Sequence, residues 1–105
     1  NFGPLPESWR TVRQLVLEVM KSWPGDIRLP DLPPDDKHEA KMLSLDITRA
    51  TSVLGWKPLW SFREAVQKTA EWYRVFNTRD TVDCRRFSEQ QISEYDESRT
   101  AAESQ

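Results

Sequence analysis

Residues 46 to 73, DITRATSVLGWKPLWSFREAVQKTAEWY, decide how this chain folds. The stretch holds two amphipathic periods separated by Gly-Trp-Lys-Pro, so it reads as two helices with a stop between them. Asp46 stands where an N-cap would accept from orphan backbone amides. Ile47, Ala50, Val53 and Leu54 then turn inward over about two turns, and Gly55 supplies the left-handed residue that closes a helix. Pro58 prevents continuation. The second helix opens on a capping box, Ser61 with Glu64, and Trp60 precedes it as a hydrophobic staple onto Ala65. Phe62, Ala65, Val66, Thr69, Tyr73 and Phe76 share one face, and Glu64 with Lys68 is a favourable i, i+4 pair.

Upstream, SWRTVRQLVLEVMKSWPG (residues 8 to 25) places Trp9, Val12, Leu15, Val16, Val19, Met20 and Trp23 on one helical stripe. This spacing predicts a helix from about Trp9 to Ser22, with Ser8 as N-cap and Pro24-Gly25 as the stop. Four prolines and four aspartates between Pro24 and Lys37 exclude helix and central strand, which leaves a long loop. The alternation Met42, Leu43, Ser44, Leu45 is a weak signal for a short strand. Downstream, TRDTVDCRR reads as a polar linker. Ser88 with Gln91 forms a second capping box for a short helix, EQQISEYDE, that docks through Ile92 and Tyr95. Residues 98–105 read as a frayed, disordered tail. The fold class is therefore mostly α with one or two short strands.

At 105 residues the chain has room for one small domain. Its 37% hydrophobic and 30% charged residues imply a core that is small or shared with something else. Fifteen basic and seventeen acidic residues are interspersed, with no cationic stripe to track phosphates, so nucleic acid is not an expected partner. No run approaches the roughly 18 apolar residues of a membrane span, and residues 1–4 lack signal-peptide character. One cysteine, Cys84, excludes an intrachain disulfide and a multi-cysteine zinc site and fits a reducing, cytoplasmic compartment. The opening on Asn-Phe-Gly-Pro without a methionine suggests a processed or excised piece.

Catalytic chemistry is hard to assemble from these residues. Cys84 and His38, 46 positions apart, have nothing that joins them as nucleophile and base. Three glycines, at 3, 25 and 55, cannot form a phosphate-cradling G-x-G-x-x-G turn. Asp35, Asp36 and Glu39 lack a spacing that would aim two carboxylates at one bond. His38, the only histidine, is not a zinc site alone; it is either a loop side chain or a hydrogen-bond donor to a ligand. Five tryptophans, at 9, 23, 56, 60 and 72, mostly fall on apolar stripes or cap positions, which assigns them to packing.

The order of the pieces carries further. NFGP (1–4), TVRQLV (11–16), HEAKMLSLDITRATSVLGWKPLWSFREAVQKTAEWY (38–73) and FSEQQISEY (87–95) together resemble the C-terminal part of the CDP-glucose 4,6-dehydratases, a branch of the extended short-chain dehydrogenase/reductases. The wider nucleotide-sugar family has a similar ending, an Asp-x-x-(Lys/Arg)-Ala helix, then Leu-Gly-Trp-x-Pro, then a Thr-x-x-Trp-Tyr helix. Here those positions are Asp46, Arg49, Ala50, Leu54, Gly55, Trp56, Pro58, Thr69, Trp72 and Tyr73. His38-Glu39-Ala40 and the closing Phe87 to Tyr95 block are similar to the CDP-glucose branch in particular. Departures are the proline-aspartate loop from Arg28 to Lys37, where a tryptophan is expected, and an expanded linker from Thr81 to Arg86.

The resemblance implies that residues 1–97 are a substrate-binding lobe of a longer α/β enzyme. In the family, NAD oxidises the sugar at C4, water leaves across C5 and C6, and the hydride returns to C6. The resemblance places the catalytic Tyr-x-x-x-Lys pair and the NAD-binding glycine loop in the larger N-terminal portion, so this chain alone binds no cofactor. It also implies a CDP-sugar substrate, the N-terminal NAD-binding portion as partner, and a homo-oligomer when full length, with no membrane association. Asn1, His38 and Glu39 are the positions it carries over as substrate-facing. Two alternatives stay open: the same lobe of another sugar-nucleotide dehydratase or epimerase, and a non-catalytic helical interaction module.

Overall fold

A computed structural model describes residues 1–26, 28, 44–78 and 81–105. Every regular element among them is helical: a 3-10 turn, Pro6–Ser8, then α1 (Val12–Ser22), α2 (Thr48–Leu54), α3 (Phe62–Asn77) and α4 (Thr81–Glu103). The chain divides into two compact units, Asn1–Pro58 and Leu59–Gln105. Among the described residues no helix is long and apolar enough to cross a membrane.

In the first unit, α1 begins three residues later than the apolar stripe predicts. Pro6 fixes a 3-10 turn that takes in Ser8, so Ser8 is not the cap. Thr11 caps instead, in a reciprocal box with Gln14: the Gln14 amide donates to Thr11 Oγ1 at 3.2 Å, and Gln14 Oε1 accepts from the Thr11 amide at 2.9 Å. No residue of α1 is buried, and Val12, Leu15 and Leu17 remain 42–60% exposed. Its apolar face is therefore half wet.

The start of α2 also corrects the reading of Asp46. Helical geometry begins at Thr48, and Asp46 caps from one position further out: its Oδ1 accepts from the Thr48 amide at 2.9 Å and the Thr48 hydroxyl at 2.6 Å. The other end follows expectation. Gly55 has φ of 63°, and the amides of Gly55 and Trp56 both donate to the Ala50 carbonyl, which closes the last turn. A side chain at Gly55 would be strained by its left-handed backbone although open space surrounds it. Gly55→Ala is thus expected to lower stability by about 1 kcal/mol, read by thermal denaturation.

Ala50 is the buried residue of this unit, 4% exposed, and Phe2 meets Trp56 edge to face with ring centroids 5.0 Å apart. Of the Met42–Leu45 alternation only Ser44 and Leu45 are described; neither belongs to a strand, and no strand occurs among the described residues.

The second unit is an antiparallel pair of helices, because contacts step up α3 as they step down α4: Trp60 with Tyr95, Lys68 with Glu94 and Gln91, Trp72 with Ser88. The Ser61–Glu64 capping box opens α3 as expected, and the hydrogen bonds from Ser61 hold the Glu64 carboxyl below its ordinary range. The buried stripe is rotated from the one proposed. Val66 and Ala70 are buried, whereas Ala65 and Thr69 are exposed and Tyr73 and Phe76 stay 52% and 53% exposed. Trp60 packs on Tyr95 of α4.

The largest correction concerns residues 81–103. The expected linker, short helix and start of the frayed tail form one continuous helix of 23 residues. Ser88 and Gln91 are not a capping box within it. The Ser88 hydroxyl donates to the Cys84 carbonyl at 2.8 Å and accepts from Trp72 Nε1 at 2.8 Å, while Gln91 Nε2 donates to the Lys68 carbonyl at 2.8 Å. Their polar groups dock α4 on α3 and are satisfied there.

Lys68 pairs with Glu94 across the two helices, whereas Glu64 spends its carboxylate on Ser61. The hydrogen bond to Glu94 raises the Lys68 pKa above 10.5, and the bond from Lys68 lowers that of Glu94 below 4.5. The lowered carboxyl contributes stability that is present above pH 4.5 and lost as pH falls through its folded value. The raised ammonium contributes stability that is present below pH 10.5 and lost as pH rises through its folded value. Glu94→Gln should flatten both limbs of the stability profile, measured by denaturant titration from acid to alkaline pH.

Candidate functional site

The first unit carries a concave site where its N-terminal segment runs past the entrance to α2. Pro4, Leu5 and Pro6 form one side, and Ser44 through Thr48 with Thr51 form the other, around a cavity of about 410 Å³. The segment approaches closely at Gly3, where a Cβ would lie 3.4 Å from Leu45 Cβ and 3.5 Å from Ile47 Cγ2. Trp9 also lines the cavity. Its indole Nε1 is buried and has no hydrogen-bond partner among the described residues. A buried donor left unpaired costs about 1–3 kcal/mol.

Asp46 supplies the charge of the site. The hydrogen bonds from the Thr48 hydroxyl and amide hold its carboxyl below the ordinary value of 3.8, so it is ionised at neutral pH. Thr51 directs its hydroxyl to the Thr48 carbonyl at 2.9 Å. The lining thus combines an apolar wall that includes the Trp9 side chain, an ionised carboxylate and short hydroxyl side chains. Such a set suits a neutral polyhydroxylated group, whose hydroxyls both donate and accept; an ionised carboxylate disfavours a bare phosphate.

The described residues hold no nucleophile, base and orienting group in mutual reach, and no cluster of three or more His, Cys, Asp or Glu that could hold a metal ion. Cys84, half-buried on α4 in the other unit, has no imidazole near it among those residues.

Of the positions named from sequence, Asn1 is exposed at the start of the chain and is not among the residues that line the cavity. His38 and Glu39 lie outside the described residues, as does most of the proline-aspartate loop. The structure adds Trp9 and Asp46, which sequence reading assigned to packing and capping. The signal was present at Asp46, where the family pattern has its aspartate, but nothing in the spacing of Trp9 distinguishes an unpaired indole from a packed one.

No family model matches the chain, and no solved structure matches it. Among curated proteins, CDP-glucose 4,6-dehydratase from Salmonella typhimurium (strain LT2) is 31% identical over 96 residues, which cover 90% of this chain and 26% of that enzyme. The chain spans about a quarter of the length of this relative, and is distantly and partially homologous to it.

Proposed function

We propose that this chain is the nucleotide-sugar-binding, C-terminal portion of a CDP-glucose 4,6-dehydratase-like enzyme. The observation that carries the reading is the similarity over 90% of the chain, in which the Asp46 to Tyr73 motifs stand in family order. In this reading the cavity beside Trp9 and Asp46 grips the sugar or ribose hydroxyls. Asn1 and the His38-Glu39 loop supply further polar contacts to the nucleotide. The complete protein is then a cytoplasmic lyase that acts as a homo-oligomer.

NAD does not fit the residues described. Gly55 closes α2 singly, Gly25 stands alone three residues beyond α1, and among the described residues no glycine-rich turn meets a helix N-terminus. The proposal therefore assigns the cofactor and the catalytic tyrosine and lysine to the remainder of the protein. This portion binds, orients and covers the substrate.

The half-wet face of α1, and a core among the described residues of only Ala50, Val66 and Ala70, agree with a lobe that shares its burial with another part of the protein. The test is turnover by the full-length gene product. Supplied with NAD, it should convert CDP-glucose to the 4-keto-6-deoxy sugar, and Asp46→Ala should raise KM several-fold with a smaller change in kcat. Absence of turnover on CDP-glucose together with turnover of another nucleotide-glucose would move the assignment to a sister enzyme.

A further inference from the structure

A second concavity lies on the α3–α4 pair, and the proposed substrate site does not use it. It is an open groove of about 370 Å³ bordered by the rings of Trp60, Trp72 and Tyr95, the aliphatic chain of Ile92, Asp96 and Gln91. Trp60 and Tyr95 stand edge to face at 83°, with centroids 5.0 Å apart, and so form two walls at nearly a right angle. The Trp72 N–H is already spent on Ser88, and the Gln91 side-chain amide N–H on Lys68. Acceptors border the groove as well, the Gln91 carbonyl oxygen and the Asp96 carboxylate, one oxygen of which pairs with Arg99 Nε at 3.6 Å.

The charges around this groove favour a cation. Lys68 Nζ lies over one face of Trp60 at 5.9 Å from its centroid, and Glu94 cancels its charge, which leaves the groove the remaining ring surface. Arg99 bonds to Glu103 at 3.1 Å and reaches Asp96 only at 3.6 Å, so Asp96, Arg99 and Glu103 together retain a net negative charge. Perpendicular aromatic walls with a carboxylate at the rim are the recognised chemistry for a quaternary ammonium group, whose diffuse charge meets ring faces while its methyl groups fill apolar volume.

We infer that the groove between Trp60, Trp72 and Tyr95, with Asp96 at its rim, binds a small free quaternary or methylated ammonium compound. The site is independent of the nucleotide-sugar reading.

The test is isothermal titration of the full-length gene product with choline, and with 3,3-dimethyl-1-butanol, its uncharged counterpart of the same shape. Choline should bind saturably, about tenfold more tightly than the neutral alcohol, because the aromatic faces and the carboxylate act on charge. Asp96→Asn, at an exposed position where no packing is lost, should weaken choline binding about fivefold and leave the alcohol unchanged. Trp60→Phe, which keeps a ring with a weaker face, should weaken choline several-fold. Absence of saturable choline binding, equal binding of the two compounds, or choline binding indifferent to Asp96→Asn would each overturn the inference.

Discussion

Trp72→Ala is expected to lower the stability of the α3–α4 pair by about 3 kcal/mol, because it removes a large half-buried ring and a hydrogen bond at once. The indole stacks on Phe76 with centroids 5.3 Å apart and meets Tyr73 edge on at 5.4 Å, and its N–H donates to Ser88. Both ring contacts are to residues of α3, and the hydrogen bond is what reaches α4. Trp72→Phe separates the two contributions. It keeps most of the ring contact and loses only the donor, while Ser88 still donates to Cys84, so the cost should fall to about 1 kcal/mol. Chemical denaturation followed by far-ultraviolet circular dichroism checks both. Equal losses for the two substitutions would mean that the hydrogen bond, and not the ring, dominates.

Ala70→Asp should be more damaging still. Ala70 is 3% exposed and lies one turn from Val66, the other buried residue of this unit. A carboxylate there would be taken out of water at a cost of about 3 kcal/mol or more, which a pair with so small a buried core does not tolerate. Loss of most of the α3 and α4 helix signal is the expected outcome. Ala65→Asp, on the exposed side of the same helix, is the matched control and should leave the signal within about 0.5 kcal/mol of the parent. If Ala65 proved the sensitive position, the buried stripe would be the one first read from the periodicity.

That rotation of α3 shows where sequence reading succeeds and where it stops. Local signals were legible: the Ser61–Glu64 box, the Gly55 stop and the extent of α3 rest on backbone groups within a few residues of one another. Signals that depend on a partner were misread. Ser88 and Gln91 have the spacing of a capping box, yet their side chains serve Trp72 and Lys68 on the neighbouring helix. With those groups spent on docking, nothing interrupts α4 between Thr81 and Glu103, and a polar stretch that looks like linker continues as helix. The Thr11–Gln14 box went unnoticed because the apolar stripe appears to begin at Trp9, although Pro6 sets a 3-10 turn first.

For the site, the resemblance named Asn1, His38 and Glu39, whereas Asp46 was read as a cap and Trp9 as packing; their place on one cavity emerged only from the structure. The His38-Glu39 rim lies outside the described residues, so its role rests on the resemblance and on experiment.

The central claim is that this lobe reads a CDP-sugar. Its most direct test is equilibrium binding of CDP, UDP, dTDP and GDP to the full-length gene product, repeated after His38→Ala with Glu39→Ala. The account predicts that CDP binds about tenfold more tightly than the other three, and that the double substitution removes most of that preference, as loss of one or two base-directed hydrogen bonds would. Tighter binding of UDP, dTDP or GDP, or no binding of any of the four, would contradict it.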